Sequence, residues 1–162
     1  MTEASGIERA TKRAEAQSVP QPVEGEPGLV QVDATWGTIQ PMRVAEGVRT
    51  VGEAEVIEHL ERGLPVVDFR GRDSYEESTI PGAANVHYEE AAARLDELDR
   101  EVPTVFFCNG PQCGQSPAGI RALIEAGHPP EKILYYRGGL HDWMTLALPV
   151  VPAGVAPDRG RS

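Results

Sequence analysis

Apolar residues along this chain fall into two kinds of stretch, and the two alternate from residue 48 to residue 150. The first kind is short and continuous: 48–51, 64–69 (Leu-Pro-Val-Val-Asp-Phe), 104–108 (Thr-Val-Phe-Phe-Cys) and 133–136. Runs of this length, rich in β-branched and aromatic residues, predict strands, and unbroken hydrophobicity predicts strands covered on both faces. The second kind has helical spacing. Val56, Ile57 and Leu60 make one face of a helix that Thr50 and Glu53 would open as a capping box and Gly63 would end. Ala91, Leu95 and Leu98 do the same over 88–98. A third helix is predicted from Ser116 as N-cap and Pro117 at its first position, through Ile120, Leu123 and Ile124, to Gly127. A short helix follows Gly138-Gly139 through Trp143 and Leu146, and Ile80-Pro81-Gly82 turns the chain into a short strand near Val86. The fold class that results is α/β, a central mainly parallel sheet with helices on both faces.

Outside these elements the pattern lapses. Residues 1–46 read as a flexible N-terminal extension, with weak helix signals at Ile7, Ala10 and Ala14, a Pro/Gly/Glu-rich linker, and an extended segment over 29–42 around a Trp36-Gly37 turn. Residues 47–151 are the expected domain, and 152–162 a disordered tail. His59 lies off the apolar stripe of its helix and reads as solvated. Glu89, Glu90, Asp96, Glu97 and Asp99 read as a solvated face rather than a metal cluster.

Charge and composition narrow the classes of function. A net charge of −10 over 162 residues lacks the basic footprint of a nucleic-acid binder and offers no attraction to anionic membranes. No apolar run reaches the length of a membrane span, and the N-terminus has no apolar signal core. The expectation is a soluble cytoplasmic protein whose two cysteines are catalytic or redox-active rather than a structural staple.

Both cysteines lie in the loop Cys108-Asn109-Gly110-Pro111-Gln112-Cys113-Gly114-Gln115, between a predicted strand and a helix N-terminus. Loop amides and the positive helix end favour a thiolate and can hold an anion, which makes Cys108 a candidate nucleophile. A buried inert cysteine at a strand end is equally compatible with the residues alone. Cys113 is close enough in sequence to resolve an oxidised or persulfidated Cys108, or to be a plain loop residue. Zinc lacks a second ligand pair, so no metal is expected. His87, His128 and His141 are scattered, read as surface or hydrogen-bonding groups, and supply no evident base. The loop holds no Arg or Lys, which argues against phosphoryl transfer, while Arg70, Arg121 and Arg137 could approach only from outside it.

The ordered set Val-Val-Asp-Phe-Arg (66–70), Tyr75, Ile-Pro-Gly-Ala (80–83), Phe-Phe-Cys (106–108), Ser116, Gly-Gly-Leu (138–140), Trp143 and Leu-Pro-Val (148–150) resembles a single rhodanese domain. The resemblance implies a rhodanese fold with Cys108 as the persulfide-forming cysteine. It implies that Asn109, Gly110, Pro111, Gln112, Gly114, Gln115 and Ser116 form the loop receiving the transferred sulfur or anion, with Asp68 and Arg70 as structural support. The chain departs from the usual pattern in a loop two residues longer, in Ser78-Thr79 before Ile-Pro-Gly-Ala, and in the missing loop cation. The loop is similar to a rhodanese subgroup with Cys-x-Gly-Pro-x-Cys, which includes domains fused to arsenic-type repressors.

The implied activity is sulfurtransferase chemistry without a cofactor. Cys108 would take sulfur from thiosulfate or a persulfide donor and pass it to a thiol or cyanide. Two alternatives stand beside it. One is a thiol-dependent arsenate or redox reductase cycling through a Cys108–Cys113 disulfide. The other is a non-catalytic rhodanese-like binding or sensing module, with a protein partner docking on the N-terminal extension.

Overall fold

The computed structural model describes residues 19–31 and 39–152. The helix signals near Ile7, the Trp36-Gly37 turn and the tail after Pro152 lie outside the described residues. Strands β1 (Gln21–Pro22) and β2 (Val30–Gln31) pair antiparallel as a small hairpin. The main sheet has five parallel strands in the order β3-β7-β6-β4-β5. They are β3 (Arg49–Thr50), β4 (Val66–Asp68), β5 (Ala84–Asn85), β6 (Thr104–Phe107) and β7 (Ile133–Tyr135). Helices α1 (Glu53–Glu61), α2 (Arg72–Glu77) and α3 (Gln115–Glu125) connect them, and α4 (Gly139–Thr145) follows β7.

Continuous hydrophobicity has the predicted consequence. Every residue of β4, β6 and β7 is buried, because each strand feeds two cores. Alternation sends Val105 and Phe107 to the core that holds Val56 of α1 and Leu140 and Trp143 of α4. Phe106 and Cys108 go to the other, with Ile120 and Leu123 of α3. Phe69 stacks on Phe106 at 4.8 Å between ring centroids, and Gly119 of α3 lets its helix settle onto the Phe69 ring. The strand order makes β6 central, so its C-terminal end opens where ligands bind in open parallel sheets.

Several expectations change. Gly52, not Thr50, caps α1, and Glu55 accepts its amide, while the Thr50 hydroxyl donates to Met42 O at 2.6 Å. His59 is buried, its Nε2 2.8 Å from Pro65 O, and burial lowers its pKa. Pro65 O also accepts from Val105 N–H at 3.1 Å, so the imidazole and the sheet share this carbonyl. Residues 88–98 do not form an α-helix: Tyr88 N–H is used by Phe69 O as the sheet ladder continues, and the remainder makes a 3₁₀ turn over Ala92–Glu97. Helix α2 carries no buried residue and so no apolar stripe to read. Gly114 rather than Ser116 caps α3. His128 is buried, with neither ring nitrogen hydrogen-bonded. At the N-terminal boundary Val44 joins the core and Gln40 is buried, so the compact unit begins before residue 47.

Candidate active site

Cys108 ends the central strand with only 1 % of its surface exposed. The loop then doubles back: Cys113 N–H donates to Gly110 O at 3.1 Å, and α3 begins at Gln115. The next crossover pins the loop from outside. Leu140 N–H donates to Cys108 O at 3.0 Å and His141 N–H to Asn109 O at 2.7 Å. This approach requires Gly139, which has φ +61°, since a Cβ there would sit 2.5 Å from Cys108 O. A Cβ on Gly110 would similarly sit 2.7 Å from that of His141.

The two cysteines meet and are not disulfide-bonded. Cys108 donates to Cys113 O at 3.5 Å. Burial, then the neighbouring Cys113, raises the Cys108 thiol well above its ordinary pKa, and the hydroxyl and amide of Ser116 offset part of the rise. Cys113 shifts oppositely, down to about 6, through its hydrogen bond with Cys108, the amides of Gln115 and Asn109, and the charge of Arg70. The two cysteines therefore titrate as a pair, with burial disfavouring charge on Cys108 and the loop amides favouring it on Cys113. The strand end that places the Cys108 sulfur also desolvates it, which opposes the stabilisation that the loop amides and helix N-terminus lend its thiolate.

Asp68 and Arg70 form a buried ion pair beside the loop. Asp68 Oδ1 accepts from Arg70 N at 2.9 Å and Nε at 3.0 Å, and Oδ2 from Nη2 at 2.8 Å and Thr79 Oγ1 at 2.9 Å. Arg70 Nη1 reaches Asn109 Oδ1 at 3.5 Å. The cation missing from the loop is therefore supplied by Arg70, two residues after β4. Gln112 Oε1 and Gln115 Oε1 of the same loop are buried without a hydrogen-bond partner. His141 touches the loop through its backbone and directs Nδ1 to Asp142 Oδ1 at 3.1 Å. Arg137 reaches not the loop but Gln40 O, at 3.0 Å.

Two residues of the site are absent from the sequence reading. Gln40 is 2 % exposed, and its Nε2 lies 3.2 Å from Cys108 Sγ and 2.6 Å from Gly110 O. Tyr135 donates to Gln40 Oε1 at 2.6 Å. Tyr135 pairs with Phe106 in the sheet, so it shares a face with Cys108, a relation that requires the β6–β7 pairing to be known. Gln40 lies beyond a segment without periodicity, and no local pattern marks it.

The pattern of the Rhodanese-like domain family matches residues 53–146. The chain is 32 % identical over 101 residues to the HTH-type transcriptional regulator Rv0324 of Mycobacterium tuberculosis, a match covering 62 % of this chain and 43 % of that protein. The chain thus matches less than half the length of that relative. Among solved structures, a thiosulfate sulfurtransferase from Pseudomonas aeruginosa superposes with a TM-score of 0.58 at 24 % identity, covering 67 % of this chain and 21 % of the other. The rhodanese-like domain of the Alr3790 protein from Anabaena gives 0.54 at 22 % identity, covering 70 % and 91 %. These two likenesses carry the fold. Among the described residues, no helix is long and apolar enough to cross a membrane.

Proposed function

Because this chain belongs to the rhodanese-like domain family, we propose that it is a sulfurtransferase carrying sulfur as a persulfide on Cys108. The observation that supports this reading best is the sulfur pair at the end of the central strand, with Cys108 buried there, its Sγ 3.2 Å from Gln40 Nε2 and 3.5 Å from Cys113 O. Cys113 accepts the proton of Cys108, and the Cys108 thiolate attacks the outer sulfur of thiosulfate or of a persulfide. The donor's S–S bond breaks, its electron pair leaving on sulfite or on a thiolate. A thiol or cyanide then attacks the terminal sulfur of the Cys108 persulfide and regenerates the thiolate. Ser116 and the loop amides hold charge where it develops. Incubating the protein with thiosulfate or glutathione persulfide and with cyanide tests this reading. Thiocyanate formed at a rate proportional to protein supports it, and no transfer from either donor contradicts it.

Cys113 as proton acceptor has a measurable signature. Its pKa is depressed, so its thiolate is present above pH about 6 and is lost as pH falls through that value. Sulfur loading in the wild type should therefore be level near neutrality and decline below pH about 6. In Cys113→Ser the proton must leave to solvent from a thiol still raised by burial, so the rise moves to alkaline pH. At pH 7 loading should be slower by roughly 10²-fold, in the range of general-base effects. A rapid-quench pH profile of both proteins checks this.

A second reading, a reductase cycling through a Cys108–Cys113 disulfide, draws on the same adjacency of two free cysteines. It predicts a disulfide formed with arsenate or peroxide and no persulfide with sulfane donors.

A further inference from the structure

Gln40 lies upstream of the family-matched residues, yet it makes more contacts with the sulfur loop than any periodicity would suggest. Its backbone N–H donates to Pro111 O at 2.7 Å, and its carbonyl accepts from Arg137 Nε at 3.0 Å. These fix the segment across the mouth of the loop. The orientation of the side-chain amide follows from its neighbours. Gly110 O can only accept, so the amide nitrogen must face it at 2.6 Å. The amide's oxygen then points to Tyr135, whose single hydroxyl hydrogen lies between it at 2.6 Å and Pro41 O at 2.8 Å. The second amide hydrogen is left for Cys108 Sγ, at 3.2 Å.

A neutral thiol is a weak acceptor, and a buried glutamine loses considerable side-chain freedom to reach one. The same N–H gains roughly twofold in strength when the sulfur is ionised. An interaction that strengthens as charge arrives favours the reactive state over the resting one. An apolar side chain would cover the sulfur without this property.

Resting on the sulfurtransferase reading above, we propose that Gln40 is a catalytic residue, its carboxamide donating to the Cys108 sulfur in the thiolate and persulfide states. The persulfide site is then completed by a segment outside the family domain, with Tyr135 as the positioning residue that orients the amide. The titratable and charged groups around this contact are Cys113 from the loop, Tyr135 from β7, Arg121 from α3, Arg137 on the Gln40 carbonyl, and Arg70 beyond Cys113.

The test compares the full chain with Gln40→Met, which keeps length and removes the donor, and with Gln40→Ala. Sulfur uptake at Cys108 from glutathione persulfide is followed by rapid quench and fragment-ion mapping, the rate in the wild-type background and the pH midpoint in the Cys113→Ser background, where Cys108 itself titrates. Both variants should load roughly 10- to 100-fold more slowly at pH 7, the scale of one hydrogen bond to a charged group, with the midpoint moved to higher pH. Tyr135→Phe should move the midpoint less and in the same direction. Thermal unfolding establishes that each variant folds, and either glutamine variant alone suffices. An unchanged midpoint, or faster loading because an obstructing segment has been loosened, overturns the role of Gln40 and leaves the sulfurtransferase reading intact. If the wild type takes up no sulfur, that reading falls. Gln40 is then judged by the pH midpoint of Cys108 alkylation with iodoacetamide, where the same upward shift is required.

Discussion

Cys108→Ser should reduce sulfur transfer to the level measured without protein, a loss of at least about 10³-fold, the scale seen when a covalent nucleophile is removed. The alcohol occupies nearly the same volume at the end of β6. It can still donate toward Cys113 O and accept from Gln40 Nε2, the two contacts that hold the thiol. The fold is therefore expected to survive, with stability within about 1 kcal/mol of wild type, the scale of one altered hydrogen bond. What is lost is the ability to ionise and to attack sulfane sulfur. Cys113 remains in this variant, so the experiment also asks whether the second cysteine can substitute. In the proposed mechanism it cannot, because its role there is to take the proton of Cys108 rather than to attack the donor. Turnover assays with thiosulfate and glutathione persulfide, beside urea unfolding, separate the chemical effect from the structural one.

Asp68→Ala should cost about 3–5 kcal/mol of folding stability, as removing one partner of a buried ion pair does. Asp68 is fully buried and Arg70 is 3 % exposed. The carboxylate takes the Arg70 backbone amide, two guanidinium nitrogens and the Thr79 hydroxyl. Alanine would leave a buried guanidinium with the Ser78 carbonyl and Asn109 as its remaining oxygen partners. Against a total stability of about 5–15 kcal/mol for a typical domain, that is a large fraction. The variant should show a much lower urea midpoint with an unchanged slope. Asp68→Asn, which keeps the shape and some acceptors, should lose less. An Asp68→Ala variant as stable as wild type would mean that the pair is a surface-like contact rather than the anchor of β4.

The sheet was legible because its strands are buried on both faces. Val66–Asp68, Thr104–Phe107 and Ile133–Tyr135 carry unbroken apolar runs that fit little else. The position of Cys108 followed from the run that it ends. Its protonation did not, because a strand end and a helix N-terminus argue for a thiolate, whereas burial, which outweighs them here, is a tertiary property. Helix α2 has no apolar stripe because nothing on it is buried, and the 88–98 stretch is not one α-helix because it kinks at Arg94, whose backbone leaves the helical region. Gln40 and Tyr135 were beyond reach for a different reason. Their meeting spans 95 positions and depends on strand order, which hydrophobic periodicity does not encode.

The central claim, that Cys108 carries sulfane sulfur, is tested most directly by the mass of the reduced protein after incubation with glutathione persulfide. The account predicts the gain of a single sulfur atom, mapped to Cys108 and discharged by cyanide as thiocyanate. A protein that keeps its mass with this donor and with thiosulfate, or that gains only an internal disulfide, would contradict it.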